Sequence, residues 1–375
     1  MSLCADLADE ASTLFECAIA DSTVSNRKSV AKHWAVFCIG IVGVPITLLS
    51  QGKRPSRKVR HSAENTLIWC VSWLARSFES STVGTYISHV KGLLSKWLGF
   101  IIMEDLGFTW SRLNYAIRIL KSTRPAAIKF KRPFTFGMMQ EIAKYWQQVG
   151  RANMTFPHKC IWAAMVLCFN QLLRGNEVAQ SSTFSFANRL PMVQAHLKHF
   201  KANGSELCCP VSSTDARDRL IQLASSKLKM PPTKCDPEAA NLPLYLTGAA
   251  GGLEEWLSPA SQLFLLQGDA PVASYEEAQY TVLFPAKASS AVPISASNFL
   301  KVAKAMCAKA GIDNTALGTH AFRVGGMNHL QESGAAIAQI MAIGRWSSDA
   351  YKLYSRRNRK RLVVWSRKLM QAAPK

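Results

Sequence analysis

The sequence predicts a mainly α-helical protein with a small β component, arranged as two domains. The chain has 375 residues, which is long enough for two separate cores. Apolar residues recur at helical spacing through most of residues 1–120, and this spacing changes to short strand-like runs between Leu190 and Leu246. Hydrophobic residues make up 48% of the chain and charged residues 18%, which is typical of a folded globular protein.

Residues 1–122 are expected to form the first domain, a compact bundle of short helices. In each predicted helix the apolar residues fall on one face, and polar breaks separate one helix from the next. The predicted helices are Thr23–Cys38, Ser62–Phe78, Ser81–Leu98 and Thr109–Lys121. A basic run, Lys53–Arg60, is predicted to lie between the first two helices.

Residues 123–133 are predicted to be an exposed basic linker, because Ser122–Pro133 combines two prolines with four basic residues. The second domain is then expected over residues 134–375. It should open with a helix at Thr135–Trp146, followed by a long apolar and therefore buried helix at Cys160–Leu173.

The middle of the second domain is predicted to contain short strands around a polar loop. The residues that suggest strands are Leu220, Ile221, Leu223, Leu242, Leu244 and Leu246. The Gly- and Ala-rich segment Leu246–Ala296 has only a weak pattern, so no element is predicted there. From Ser295 onward the chain is expected to be helical again.

The charge balance predicts a polyanionic partner. The 45 Lys and Arg residues outnumber the 24 Asp and Glu residues, which gives a net charge of +21. Nucleic acid is the first candidate, and a membrane surface is the weaker one because no single basic amphipathic helix dominates. We therefore expect no membrane association.

The ten cysteines lie mostly within apolar runs, which favours buried free thiols in a reducing compartment. Cys208 and Cys209 lack a second ligand pair at zinc spacing, so we expect no metal site. Asp6, Asp9 and Glu10 interrupt the beginning of the sequence, so no signal peptide is visible. These features predict a soluble protein, nuclear in a eukaryote and cytoplasmic otherwise.

The stretch Gly318–Arg361 carries most of the candidate chemistry. It contains a His-x-x-Arg pair (His320, Arg323), a Gly-Arg-Trp turn that ends at Trp346, and two tyrosines, Tyr351 and Tyr354. A basic tail follows directly. An Arg-x-x-Glu pair, formed by Arg174 and Glu177, comes earlier, just after the predicted buried helix.

In this order the motifs resemble the active-site half of the tyrosine recombinase and integrase family. The match is nearest to the DIRS-like and Crypton-like branch of eukaryotic mobile elements, in which a Gly-Arg-Trp turn precedes the nucleophile helix. The resemblance covers about two-thirds of the chain, from Phe134 onward. It implies an N-terminal SAM-like core-binding bundle and a mixed α/β catalytic domain, which together form a C-shaped clamp on double-stranded DNA.

The resemblance also implies a site-specific recombinase that cuts and rejoins DNA through a 3′-phosphotyrosyl intermediate, without metal or nucleotide cofactor. Arg174 and Arg323 would clamp the phosphate, because guanidinium groups match its oxygens and keep their charge. His320 would take the proton of the tyrosine, and the indole N–H of Trp346 would donate to a phosphate oxygen. Glu177 would hold neighbouring donors in place.

Tyr354 is the predicted nucleophile, eight residues after the tryptophan, whereas many phage and bacterial relatives use nine. Ser347 and Ser348 are candidate caps for a helix that carries both tyrosines, and Tyr351 is then a packing residue. A lysine on a β-hairpin usually completes the family site. Lys227 fits that context best, with Lys229 and Lys234 as rivals.

Each of these residues also has a plain structural interpretation. Arg174 suits a helix end beside a capping glutamate, His320 suits a helix N-terminus, and an isolated tryptophan is usually a core residue. Lys227 is equally well explained as an exposed hairpin lysine that touches the DNA backbone. Only the order of the motifs favours the catalytic interpretation.

Further DNA contacts are expected from basic residues in three segments, namely Lys53, Arg54, Arg57, Lys58, Arg60, Lys129, Lys131, Arg132, Arg356 and Arg357. The resemblance implies a homotetramer on two DNA sites, with a C-terminal helix that docks on a neighbouring protomer. Two alternatives stay open: a type IB topoisomerase-like activity, and a catalytically inactive, domesticated DNA-binding protein.

Overall fold

The computed structural model describes residues 21–42, 57–97, 109–125, 133–179, 192–231, 243–288, 292–315, 317–346 and 351. The chain divides into two compact units, Met1–Phe130 and Lys131–Lys375. As the sequence predicts, helices dominate and the β component is one small antiparallel sheet. None of the helices within the described ranges is both long and apolar enough to cross a membrane.

The described part of the first unit is made of helices that pack around one core. Helix α1 (Asp21–Val36) continues into a π-helical stretch, Phe37–Val42, and is followed by α2 (Arg57–Leu74), α3 (Ser80–Trp97) and α4 (Ser111–Thr123). Each predicted helix is present with its ends shifted by a few residues. The apolar faces that predicted them supply the core, which includes Trp34, Leu67, Ile87 and Leu113.

A buried carboxylate also links two helices of this unit. Glu64 of α2 is buried, and its Oε1 accepts a hydrogen bond from the backbone N–H of Leu113 at 3.0 Å. Leu113 lies in the first turn of α4, where backbone N–H groups lack partners within the helix and a negative charge is favourable. The contact therefore fixes the start of α4 on α2.

The basic run Lys53–Arg60 was predicted to separate two helices, and this prediction is wrong for its last four residues, which belong to the second helix. Helix α2 begins at Arg57, so Arg57, Lys58 and Arg60 lie in its first turn. Arginine and lysine are good helix formers, so a cluster of charge does not end a helix. Lys58 is exposed there. Among the other predicted DNA contacts, Lys53, Arg54, Lys129, Lys131, Arg132, Arg356 and Arg357 lie outside the described residues.

The second unit is built around α6 (Phe156–Asn170), which is buried on every side from Cys160 to Phe169. An apolar residue at almost every position predicts this kind of central helix. Three helices pack against it, namely α10 (Pro259–Asp269), α12 (Ala296–Lys309) and α13 (Ala321–Glu332). Helix α5 (Phe136–Val149) packs on α12 and α13.

Shorter helices complete this unit, namely α7 (Gly175–Val178), α8 (Ser213–Arg219), α9 (Gly252–Leu257), α11 (Tyr275–Tyr280) and α14 (Ile337–Gly344). The weakly patterned segment Leu246–Ala296 thus contains three of the helices. Its longest helix, α10, is buried all round. It has no polar face, so its sequence lacks the alternation of apolar and polar residues that predicts a helix.

The sheet has four antiparallel strands in the order β2-β1-β3-β4, formed by Leu197–Phe200 (β1), Glu206–Leu207 (β2), Ser225–Leu228 (β3) and Leu244–Thr247 (β4). The later predicted strand is present as β4. The earlier one is misplaced, because Leu220–Gln222 is a 3₁₀ turn at the end of α8 and the strand begins at Ser225.

The cysteine prediction is confirmed for five residues that the structure describes. Cys38, Cys70, Cys160, Cys168 and Cys307 are buried and free, whereas Cys208 and Cys209 are exposed and free.

Candidate functional site

Two segments of the second unit that are far apart in sequence meet at Gly175 and Thr319. A Cβ atom added to Gly175 would lie 2.6 Å from the Cβ of Thr319, so the two backbones approach closely. Arg174 precedes Gly175 and His320 follows Thr319. The fold therefore brings the Arg-x-x-Glu pair next to the His-x-x-Arg pair.

The packing of α13 explains why the second pair stays in this place. Cβ atoms on Gly325 and Gly326 would overlap the backbone carbonyl oxygens of Phe134 and Phe169, respectively. Only glycine permits this approach, as the double glycine predicts. The backbone N–H of Phe134 also donates to the carbonyl oxygen of Ala321 at 3.0 Å. The first turn of α13, which carries Arg323, is thereby fixed against the centre of the unit.

Glu177 joins two arginines that come from different segments. Its Oε2 accepts from the backbone N–H of Arg174 at 2.6 Å, and its Oε1 lies 3.4 Å from Nη1 of Arg174. The same Oε1 accepts from Nη2 of Arg345 at 3.1 Å. The predicted role of Glu177, to hold neighbouring donors, matches these contacts.

The three side chains of this group differ in exposure. The carboxylate of Glu177 is 7% exposed and the guanidinium side chain of Arg345 is 9% exposed, whereas that of Arg174 is 30% exposed. Arg174 is thus the member that solvent, or a ligand in solution, reaches most readily.

Arg323 lies at the centre of the cluster and is 1% exposed. Its Nη1 donates to the carbonyl oxygen of Leu172, and its Nη2 donates to that of Gly344 at 3.0 Å. Its guanidinium carbon lies 4.3 Å from the centre of the Trp346 ring, which is a cation–π distance. Arg323 therefore connects the turn before Arg174 to the turn before Trp346.

Both turns contain a residue in the left-handed region. Leu172 has φ 50° and Arg345 has φ 54°. A non-glycine residue in this conformation costs about 1 kcal/mol or more and needs compensation from its surroundings. Leu172 is fully buried, and its carbonyl oxygen accepts from Arg323. Arg345 ends α14 and has Glu177 as the partner of its side chain.

Trp346 is buried in a small apolar cluster with Leu172, Met327 and Ile340. A Cβ on Gly344 would overlap its ring, so the Gly-Arg-Trp turn needs its glycine to accommodate the indole. The structure thus agrees with the core interpretation of this tryptophan. Its predicted hydrogen bond to a phosphate stays a prediction.

His320 is half-buried at the beginning of α13, in the N-cap position. The chain thus places it one residue from Thr319 and so beside the turn of Arg174. Its predicted role as proton acceptor stays a prediction.

Lys227 lies in the centre of β3, opposite Lys198 on β1 and Tyr245 on β4, and it is exposed. Within the described part of the chain its side chain makes no hydrogen bond or ion pair with the arginine cluster. Lys229 is exposed just after the same strand, and Lys234 lies outside the described residues. Within the described residues no direct contact therefore joins Lys227 to the arginine cluster, and its catalytic role stays a prediction.

Tyr351 is half-buried, and its ring centre lies 6.5 Å from that of Trp346. This contact agrees with its predicted packing role. Tyr354, the predicted nucleophile, lies outside the described residues, as does the segment that would cap its helix.

The charged residues of the site also affect the pKa of a thiol in α6, that of Cys168. Burial raises the pKa of the Cys168 thiol well above its ordinary value, the Glu177 carboxylate raises it further, and Arg323 opposes the shift. A thiol with a raised pKa stays protonated and is a poor nucleophile. Cys168 is therefore an inert packing residue beneath the cluster.

The sequence interpretation missed Arg345 as a member of this group. Its only signal was its position inside the Gly-Arg-Trp turn, between a helix end and the tryptophan. A left-handed residue after a helix is usually glycine, so an arginine there is the feature that could have drawn attention.

No protein-family model and no curated protein sequence matches this chain. Among solved structures, the chain is similar to the crystal structure of XerA recombinase, with 11% sequence identity and a TM-score of 0.37. The similarity covers 92% of this chain and 99% of that chain. A TM-score of this size describes a loose likeness of fold, so the roles of individual residues rest on their own geometry.

Proposed function

We propose that this protein breaks and rejoins DNA strands through a covalent bond between Tyr354 and a DNA phosphate. The observation that carries the proposal is the convergence of Arg174, Glu177, Arg323 and Trp346, which belong to the motifs that resemble the recombinase active site. The net charge of +21 supports a polyanionic substrate.

The charge of the cluster suits an anion whose negative charge grows during the reaction. Its ionic side chains are three guanidinium groups, from Arg174, Arg323 and Arg345, and one carboxylate, from Glu177. The excess of positive charge sits in a largely buried environment, where water screens it less. Fixed positive groups of this kind stabilise a pentacoordinate phosphorus without having to reorganise.

The reaction follows from these charges. The phenol oxygen of Tyr354 attacks the phosphorus, the bond to the 5′ oxygen breaks, and a 3′-phosphotyrosyl link forms. His320 takes the phenol proton, and a lysine, for which Lys227 is our first choice, gives a proton to the departing 5′ oxygen. A 5′ hydroxyl of a partner strand then reverses the step. Since the phosphotyrosyl bond keeps the bond energy, no nucleotide cofactor is consumed.

The position of basic residues in the first unit also supports DNA binding. Arg57, Lys58 and Arg60 occupy the first turn of α2. A positive charge at a helix N-terminus interacts unfavourably with the helix dipole, so the exposed Lys58 does not stabilise α2. A role in phosphate contact accounts for the presence of a lysine there.

We propose recombination, with four protomers on two duplexes, rather than relaxation of one duplex by one protomer as in a type IB topoisomerase. The Gly344–Trp346 turn is the feature that favours the mobile-element branch of the recombinases. Chemical cross-linking on target DNA distinguishes the two activities: a tetramer supports recombination, whereas a protomer that relaxes supercoiled DNA alone supports the topoisomerase.

A second candidate function is non-catalytic DNA binding. The placement of Arg323 favours it, because both terminal nitrogens donate to backbone carbonyl oxygens and the residue is buried. In this arrangement Arg323 acts as a structural connector, and the basic surface alone would bind DNA.

The test is a suicide substrate, a duplex nicked beside the cleavage site so that the cut fragment diffuses away. Its sequence is taken from the DNA that flanks the gene. On a denaturing gel the unmodified protein should form a DNA-shifted band, and Tyr354→Phe should abolish it. Tyr351→Phe is the matched control and should keep the band. Loss of the band in Tyr351→Phe alone would move the nucleophile to Tyr351, and tight DNA binding without any band would favour the non-catalytic function.

A further inference from the structure

We infer that Arg345 is a positioning residue, which shares the carboxylate of Glu177 with Arg174 and so keeps the Arg174 guanidinium accessible to a ligand. The inference rests on the proposed function, since Arg174 is the arginine that would meet the DNA phosphate. It adds a residue to the site that the predicted catalytic set does not contain.

The carboxylate of Glu177 lies closer to the guanidinium of Arg345 than to that of Arg174. The Oε1 of Glu177 lies 3.1 Å from Nη2 of Arg345 and 3.4 Å from Nη1 of Arg174. Its Oε2 is bound to the backbone N–H of Arg174 at 2.6 Å. Glu177 is thus held by Arg345 on one side and by the backbone N–H of Arg174 on the other, and its contact with the Arg174 guanidinium is the longest of the three.

Exposure separates the two arginines into an inner and an outer cation. Arg345 is 9% exposed and Arg174 is 30% exposed, with the carboxylate between them. Arg345 therefore acts through Glu177 rather than on a ligand directly. Together the three side chains carry a net charge of +1, which would fall to zero without Arg345.

Loss of the Arg345 charge would change the partner of the Arg174 guanidinium. With Arg345 absent, a nearly buried carboxylate would have Arg174 as its remaining side-chain cation among these three residues. The two would pair closely, because an ion pair strengthens where water is scarce. Arg174 would then be drawn inward and neutralised, and it would offer less charge to a phosphate.

The backbone supplies an independent observation. Arg345 adopts φ 54° at the end of α14, a position where glycine costs least. An arginine there bears a conformational cost, so its side chain must contribute something that glycine lacks. The ion pair with Glu177 is that contribution.

A consequence is that the Trp346 turn and Arg174 are coupled. Trp346 follows Arg345 directly, and Tyr351 lies against Trp346. A shift of this turn would move Arg345 and, through Glu177, the phosphate-binding arginine.

The experiment compares four variants on the suicide substrate at saturating DNA and measures the rate of adduct formation. The variants are Arg345→Met, Arg345→Lys, Arg174→Ala and the double variant Arg174→Ala/Arg345→Met. Arg345→Met should lower the rate by about 100-fold, the effect of misplacing a group by about an ångström. Arg345→Lys keeps the charge and should retain about ten times more activity than Arg345→Met, because the charge is restored without the planar fork.

The double variant decides between positioning and a merely structural role. If Arg345 acts only through Arg174, the double variant should be no slower than Arg174→Ala alone. Rate losses that multiply in the double variant would overturn the inference, as would an Arg345→Met protein with the full rate. Thermal midpoints of all four variants identify unfolding, and Arg345→Lys supplies the comparison if Arg345→Met does not fold. Absence of any adduct with the unmodified protein would overturn the proposed function itself, and this inference with it.

Discussion

Two buried polar clusters in the second unit make an instructive comparison. The first cluster lies between the sheet and α10, and it consists of His199, Ser226 and Gln267. The second is the arginine cluster of Arg174, Glu177, Arg323 and Arg345. Both are formed by side chains from distant parts of the chain, but they differ in charge and in access to solvent.

The histidine cluster is neutral and closed. Nδ1 of His199 lies 2.6 Å from Oγ of Ser226, and Nε2 lies 2.6 Å from Oε1 of Gln267, with all three residues buried. Because an amide oxygen only accepts, Nε2 carries the proton and Nδ1 accepts from the serine hydroxyl. Burial lowers the pKa of this imidazole to about 4. Such a network determines how the sheet packs on α10 and offers nothing to a ligand.

The arginine cluster is charged and partly open. It keeps an excess of positive charge, and Arg174 reaches the surface. The comparison teaches that burial and hydrogen bonding alone do not identify a functional site. Excess charge and one exposed member are the two features that suit the arginine cluster to an anion, and the histidine cluster has neither.

The largest expected effect on stability is that of Arg323→Met. The substitution keeps an apolar side chain of similar length but leaves the carbonyl oxygens of Leu172 and Gly344 without this donor. Each buried acceptor that loses its partner costs about 1–3 kcal/mol, so we expect a loss of about 4 kcal/mol in the free energy of unfolding. Urea titration of the full chain measures it.

Arg174→Ala is the matched control. Because Arg174 is more exposed, its substitution should lower the free energy of unfolding by much less. If Arg323→Met were as stable as the unmodified protein, Arg323 would not be the structural connection between the two turns. The arginine cluster would then resemble an open ligand site throughout.

The second effect concerns the histidine cluster and depends on pH. An unfolded histidine binds a proton near pH 6.5, whereas folded His199 binds one only near pH 4. Between these values the unfolded chain holds a proton that the folded chain lacks, so stability falls as the pH is lowered. The full loss between about pH 6.5 and pH 4 should be about 3 kcal/mol. Above pH 6.5 this group makes no further difference.

Urea titrations of the unmodified protein and of His199→Gln over this pH range measure that contribution. The glutamine variant is expected to be less stable at pH 7 but to lose less stability on acidification. Equal pH dependence in the two proteins would show that His199 is not the titrating group.

The smallest effect on stability is expected for Lys227→Ala. Lys227 is exposed on β3, so the free energy of unfolding should change by no more than about 0.5 kcal/mol. If Lys227 protonates the departing oxygen, adduct formation should nevertheless slow by about 100-fold or more. Lys229→Ala serves as the control, and a loss in that variant instead would transfer the role to Lys229.

The sequence predicted most of the helices because their apolar faces repeat at helical spacing. Where a segment is buried all round, as in α10, that signal disappears and the helix was not predicted. The strand at Ser225–Leu228 was misplaced because the short apolar run at Leu220–Leu223 suggested a strand equally well. Short apolar runs do not distinguish a strand from a turn that follows a helix.

For the site, the order of the motifs predicted that Arg174, Glu177, Arg323 and Trp346 belong together. It could not predict that Arg323 donates to two backbone carbonyl oxygens, because this depends on how the chain turns at Leu172. The bond between Arg345 and Glu177 was missed for the same reason, since a left-handed arginine is not visible in a motif.

The contact between Glu177 and Arg345 has a consequence for the order in which the nascent chain folds. Synthesis proceeds from the N-terminus, and early segments begin to fold while later ones are still being made. Glu177 is synthesised well before Arg345. Until Arg345 has been added, the Glu177 carboxylate lacks the ion pair with this arginine. A ribosome-bound chain that has not yet reached residue 345 therefore lacks the finished cluster.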